Sequence, residues 1–202
     1  MHTNSRLLFE TYAKQYLYSG IRVLEIGPDQ FPSTFYSLVA DNSIVWETID
    51  LYRSVNLTFS ALSEYKFQMS DGTYDIVLSG QVIEHARKTR VWMKELARVC
   101  KAGGYVITIN PVSWPYHEAP IDCWRAFPEG MRALYEDASL EVLLSIYESL
   151  EALEYRRRIP GRSRESLPKR LRMAYGVLNW IGFPCECSFD TITVGQKTLT
   201  TC

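Results

Sequence analysis

The sequence predicts an α/β domain built on a doubly wound, mostly parallel sheet. Short β-branched apolar runs alternate with helix-period stretches along the chain. One unit, YDIVLS followed by TRVWMKELARVC and then GGYVITIN, reads as strand, helix, strand. Two apolar strands joined by a helix pair in parallel through a right-handed crossover. Repeating that unit from Ile21 onward places helices on both faces of the sheet. The 202 residues suit one core rather than two, and 47% hydrophobic with 13% aromatic content is too apolar for a disordered chain.

From Ser5 to Ser19 apolar residues recur every three to four positions, which predicts an amphipathic helix closed by Gly20. Ile21–Ile26 is the first strand, stopped at Gly27-Pro28, and Ile44–Ile49 is the second, with a helix over Ser33–Val39 between them. Tyr74–Ser79 is the next strand. In the helix from Thr89 to Cys100, Trp92, Leu96 and Val99 share one face, and Gly103 and Gly104 are expected to end it with left-handed backbone. Gly103–Asn110 follows as a strand. The next stretch carries Pro111, Pro115, Pro120 and Pro128, which forbid a long helix or central strand, and loops of this length in compact domains usually serve function. A helix from Pro128 to about Asp137, a strand over Leu140–Tyr147, a helix over Pro168–Trp180 and a last strand over Phe189–Gln196 complete the chain.

Charge excludes broad classes of partner. Lys and Arg total 22 against 23 Asp and Glu, so no global field recruits nucleic acid or acidic lipid. The exception is local: Arg156, Arg157, Arg158, Arg162, Arg164, Lys169, Arg170 and Arg172 face one acid, Glu165, in a basic insertion at about 150–185. That insertion is a solvated face, a grip for an acidic acceptor, or a contact with an anionic membrane surface. A nucleic-acid partner is disfavoured. No run approaches the roughly 20 apolar residues of a membrane span and no export signal is evident, so the odd count of five cysteines points to a reduced, cytoplasmic setting. Cys185 and Cys187 lack a second pair at zinc spacing, and no metal is expected.

In an open parallel sheet the ligand sits beyond the carboxyl ends of the strands, which singles out Gly27, Asp50 and Ser79-Gly80-Gln81. An acid after the second strand is placed to accept from ribose hydroxyls, so Asp50 implies a nucleoside cofactor. A dinucleotide needs backbone N–H groups around its pyrophosphate. Here the turn is EIGPDQFP: Pro28 has no N–H, and Asp29 would repel a phosphate. S-adenosylmethionine carries no phosphate, and its ammonium could be attracted by Glu25 or Asp29.

VLEIGPD, Asp50 after a second strand, YDIVLSGQVIEH and LARVCKAGGYVITINP, in that order from about Ile21 to Pro111, resemble a class I S-adenosylmethionine-dependent methyltransferase, similar to the methyltransferase type 11 group. The resemblance implies a Rossmann-like, mostly parallel seven-stranded sheet with an antiparallel C-terminal strand, Phe189–Gln196, in a single domain. It also implies cofactor contact by Glu25, Gly27 with Pro28, Asp50 with Leu51, and Ser79, Gly80 and Gln81. The family's glycine-rich turn is broken here by Pro28-Asp29. For the acid that binds the adenine amine, Glu64 is the candidate, with Ser63 beside it.

Methyl transfer is an in-line displacement whose rate comes largely from orientation and exclusion of water. An alcohol or phenol acceptor also needs a base, and histidine is suited to that near neutral pH. His117, beside Glu118, and His85, in the turn after the Tyr74 strand, are the candidates; each could instead hold its loop in shape. Trp114, Tyr116 and Trp124 offer stacking surfaces for a small-molecule acceptor such as a sugar or secondary metabolite, and Asp122 and Arg125 offer directed hydrogen bonds. N-methyl or aminopropyl transfer, or a non-catalytic cofactor-binding partner subunit, are the alternatives.

Overall fold

The computed structural model describes residues 3–52, 54–114, 116, 121–150, 170, 173, 174, 177, 180 and 188–199. Seven strands form one sheet: β1 (Arg22–Ile26), β2 (Val45–Asp50), β3 (Phe59–Ser60), β4 (Tyr74–Gly80), β5 (Cys100–Pro111), β6 (Leu140–Glu148) and β7 (Asp190–Lys197). Their order is β3-β2-β1-β4-β5-β7-β6. β1 to β5 pair in parallel, while β7 runs antiparallel to both β5 and β6. The expected sheet and its antiparallel C-terminal strand are present.

The α-helices against the sheet, among the described residues, are α1 (Thr3–Leu8), α2 (Thr34–Val39), α3 (Thr89–Val99) and α4 (Pro128–Glu136). One face packs Trp92, Met93 and Leu96 of α3 and Met131 and Tyr135 of α4 against Leu24, Val77 and Val106. The other packs Leu8, Phe9 and Phe35 against Val23, Ile76 and Ile107. Central strands covered on both faces read as nearly continuous apolar runs, which is why β1 and β4 were legible. Burying each such side chain contributes about 2 kcal/mol.

Two local expectations change. The N-terminal helix is not one regular α-helix: α1 gives way to a π-helical turn over Phe9–Ala13 and a 3₁₀ turn over Lys14–Tyr16. The wider turn, closed by Lys14 N–H on the Phe9 carbonyl, keeps Leu8, Phe9 and Ala13 together against the sheet. Gly103 and Gly104 do not end α3, because the chain turns extended at Cys100 and enters β5 directly. The glycines lie inside β5, where the two-residue advance from Tyr74 to Ile76 on β4 is matched by a five-residue advance, Cys100 to Tyr105, on β5. Gly103 has φ +77°, and a Cβ on Gly104 would stand 2.6 Å from the Asp75 carbonyl oxygen, so the pair serves a bulge rather than a cap. The Arg-rich stretch other than Arg170, the CxC pair and most of the Pro168–Trp180 stretch lie outside the described residues. Within that stretch residues 170, 173, 174, 177 and 180 are helical and exposed.

Candidate active site

Register sets the site. Ile26 stands beside Ile49 on one side and Ser79 on the other, so the turns leaving β1, β2 and β4 open at one level. The winding reverses between β1 and β4, where an open sheet forms its crevice. A cavity of about 300 Å³ lies there, reached by Gly27, Asp50, Leu51, Glu64, Gln81 and His85 among the expected residues. The sequence reading missed the rest of the wall, which includes Tyr52, Phe67, Val82, Ala86 and Trp92. Val82 and Ala86 could have been found as the next residues of the turn that holds Gln81 and His85; Trp92 was read only as core.

Gly27 is required twice over. Its φ of +66° lies in the left-handed region, and a Cβ there would stand 2.6 Å from Val82 Cγ2. At the end of β2, Asp50 Oδ1 accepts the backbone N–H of Tyr52 at 3.2 Å. Glu64 reaches the same wall from the loop after β3. That loop is pinned by α3: Glu95 accepts the Phe67 N–H at 2.5 Å, while Arg98 donates to the Phe67 and Met69 carbonyls at 3.1 and 2.9 Å.

Glu25 and Asp29 are not presented to the cavity as expected. Strand alternation turns Glu25 to the α2 face, opposite Ile26, where it is 1% exposed and accepts from Ser33 Oγ and Trp46 Nε1. Burial pushes its carboxyl up to about 7, against the lowering effect of those two donors. Asp29 accepts from the Thr34 N–H at 3.0 Å and Thr34 Oγ1 at 2.7 Å at the start of α2. Pro28, Ser79 and Gly80 are off the cavity wall; Ser79 is buried, and Gly80 passes so close to Phe35 that a Cβ would stand 2.7 Å from the ring.

After β4 the chain makes a 3₁₀ turn, Ile83–His85, and the loop over 121–127 docks on it. Cys123 N–H donates to the Glu84 carbonyl at 2.7 Å, Trp124 Nε1 to the Ala86 carbonyl at 2.9 Å, and Asn110 Nδ2 to the Ala126 carbonyl at 2.9 Å. His85 Nδ1 meets the Ile121 carbonyl, an acceptor, which assigns the ring proton to Nδ1 and the lone pair to Nε2. Arg125 grips Asp122 with both ends of its guanidinium and reaches the Trp114 carbonyl at 3.3 Å. Asp122, Trp124 and Arg125 therefore shape the loop, Tyr116 is exposed, and neither these four nor Trp114 line the cavity. His117 lies outside the described residues. No group of three or more His, Cys, Asp or Glu among the described residues could hold a metal, and no helix among them is long and apolar enough to cross a membrane.

Comparison with known proteins agrees with this architecture. The family described as a methyltransferase domain matches residues 47–108. An uncharacterised methyltransferase of Schizosaccharomyces pombe is 28% identical over 116 residues, which are 48% of this chain and 42% of that protein, so the matched segment spans less than half of the curated relative. A chain from the Haloferax volcanii complex between the Trm112 methyltransferase activator and a methyltransferase superposes with a TM-score of 0.61 at 16% identity, covering 96% of this chain and 94% of that one. The Haemonchus contortus phosphoethanolamine N-methyltransferase 2, solved with phosphomonomethylethanolamine and S-adenosylhomocysteine, gives 0.58 at 14% identity over 98% of this chain and 53% of its own. The methyltransferase-domain match runs across the middle of the sheet, from β2 into β5, and the superpositions extend the likeness in fold to nearly the whole chain.

Proposed function

We propose that this domain transfers a methyl group from S-adenosylmethionine to a small polar molecule. The observation that carries the reading is the crevice at the β1/β4 reversal, walled by Gly27, Asp50 and Glu64 and otherwise largely apolar. Its residues fit an adenosyl donor: the Gly27 turn lets backbone approach, Asp50 offers carboxylate oxygen to a ribose diol, Glu64 offers an acceptor for an adenine amine, and Phe67, Val82 and Trp92 suit an apolar ring. They fit a dinucleotide poorly, because the start of α2 already holds the carboxylate of Asp29 where a pyrophosphate would sit. When bound, S-adenosylmethionine supplies an electrophilic methyl group on a sulfonium. The chain's own part is to orient the acceptor, exclude water and take up a proton.

Two readings of the methylated atom follow. An oxygen acceptor would lose its proton to His85 Nε2, at the cavity wall. A nitrogen acceptor is favoured by a separate observation, the unpartnered oxygens beneath the 121–127 loop. The donor assignment is tested by calorimetry with S-adenosylhomocysteine and NAD. We expect S-adenosylhomocysteine to bind and NAD not to, and Asp50→Ala to weaken the former about tenfold, the worth of one hydrogen bond to a charged group. Unchanged affinity in the variant would remove Asp50 from the site.

A further inference from the structure

Three side-chain oxygens without a hydrogen-bond partner lie buried where β4 and β5 end: Gln81 Oε1, Glu84 Oε2 and Asn110 Oδ1. Gln81 N–H donates to the Ile109 carbonyl at 2.8 Å, which sets Gln81 beside the last residues of β5. The 121–127 loop then ties Glu84 to Asn110, through Cys123 at one end and Ala126 at the other. Glu84 is 1% and Asn110 0% exposed. A buried polar atom left without a protein partner is costly, so a native fold that leaves three at the ends of β4 and β5 has a use for them. The nearby amide and guanidinium donors are already committed, while the Thr191 hydroxyl, opposite Asn110 on β7, is unpartnered. Gln81 Nε2 serves Ser5 Oγ at 2.8 Å and Asp190 Oδ1 at 3.1 Å, Asn110 Nδ2 serves Ala126, and Arg125 serves Asp122. One free hydroxyl does not match three orphaned oxygens, so the place is short of hydrogen-bond donors.

We propose that Glu84, with Gln81 and Asn110, forms the floor of the acceptor subsite and receives the amino group of an amine substrate. The inference rests on the methyltransferase reading and names its acceptor class. An ammonium brings three N–H donors and no acceptor, which complements the two amide oxygens and the Glu84 carboxylate once Glu84 is ionised, near pH 8 and above; a hydroxyl brings one. Gln81 also lines the donor cavity, so the floor adjoins it.

The step balances. Near pH 8 and above, where Glu84 is ionised, the bound ammonium gives a proton to the Glu84 carboxylate, the lone pair so freed forms the new C–N bond, and the S–CH₃ bond of the donor breaks with its electron pair left on sulfur as a neutral thioether. Glu84 is suited to keep that proton. Burial raises its carboxyl to about 8; Asp122 and Asp190 push in the same direction, while its own backbone N–H and Arg125 oppose. His85 Nε2 stands 3.8 Å from the other oxygen, Oε1. A carboxylate in open water would return the proton to the amine and quench the nucleophile.

The test uses the full chain saturated with S-adenosylhomocysteine and matched probes: butylamine against butanol, and benzylamine against benzyl alcohol. Calorimetry near pH 8 is expected to show each amine binding at least tenfold tighter than its alcohol. Glu84→Gln should remove at least tenfold of the amine affinity, leave the alcohols within about twofold, and leave S-adenosylhomocysteine affinity unchanged. Repeating the amine titration in buffers of different ionisation heat should show a change in proton release between wild type and Glu84→Gln. Alcohols binding as well as amines, no amine binding while S-adenosylhomocysteine binds, or amine affinity indifferent to Glu84→Gln would each overturn the proposal. Failure of S-adenosylhomocysteine itself to bind would instead overturn the methyltransferase reading, and this inference with it.

Discussion

Gly27 concentrates the local demands of the site in one residue. Left-handed backbone costs an L-residue about 1–2 kcal/mol, and forcing a methyl group into Val82 adds roughly 1–3 kcal/mol of overpacking. Gly27→Ala should therefore lose stability in chemical denaturation and weaken S-adenosylhomocysteine binding, since both Gly27 and Val82 are on the cavity wall. Adding Val82→Ala separates the two causes. The double variant is expected to recover the steric part and retain the backbone part; full recovery would show that φ is not the constraint. The sequence marked Gly27 as a turn residue after a strand, but the second demand comes from Val82, on a different strand's exit. Glu25 makes the complementary point. Its place in VLEIGPD suggested a ligand contact, whereas period-2 alternation sends it to the α2 face, and only the pairing of β1 with β2 brings Trp46 within 2.7 Å of it.

At the scale of elements, the loop after β3 is held by a helix on the other side of the crevice. Glu95 and Arg98 lie three residues apart near the end of α3, paired at 2.7 Å, and together they bind the backbone of Phe67 and Met69. Burial raises the Glu95 carboxyl, yet Arg98 and the Phe67 N–H outweigh it, and the net shift is downward. Arg98→Met would leave that carboxylate, 6% exposed, with the Phe67 N–H but without its cation, at a cost of about 3 kcal/mol. It should also weaken S-adenosylhomocysteine binding, because Glu64 and Phe67 lose their tether. Arg98→Met with Glu95→Gln should regain most of the stability but not the affinity. If denaturation and calorimetry instead recover together, the tether has no role in the wall. The α3 helix itself was legible, because Trp92, Leu96 and Val99 repeat at helical spacing and all are buried. Its grip on a loop some 28 residues away was not, because charged residues on a helix read as solvent-facing until the fold places a backbone beside them. The same limit applies to the 121–127 loop. Its prolines and aromatics announced a functional segment, while the docking of Trp124 on Ala86 and the orphaned oxygens beneath it depend on strand register that no local pattern encodes.

Across the whole molecule, two buried acids work against stability as pH rises. Glu25 and Glu84 are raised to about 7 and about 8, mainly by burial, whereas an unfolded chain titrates them near 4.5. A group whose folded pKa lies above its unfolded one binds more protons in the native state. Its stabilising contribution is full below about pH 4.5 and is lost as pH rises to the folded value, on the order of 3 kcal/mol for Glu25. Glu95 and Asp75 run the other way. Both are lowered despite burial, by Arg98 and Lys101 respectively, so their contribution is lost as pH falls below the ordinary carboxylate range. The opposed sets predict a stability maximum in mildly acidic solution and a decline toward pH 8. Glu25→Gln keeps an acceptor for Ser33 and Trp46 but removes one titration. Its melting temperature should match the wild type near pH 4.5 and exceed it progressively up to pH 8, and a parallel decline in both proteins would remove Glu25 as the cause. Glu84→Gln should flatten the same limb while costing amine binding. A residue whose removal stabilises the free protein and disables its subsite is retained for what it binds, and that separates a functional acid from a defect of packing.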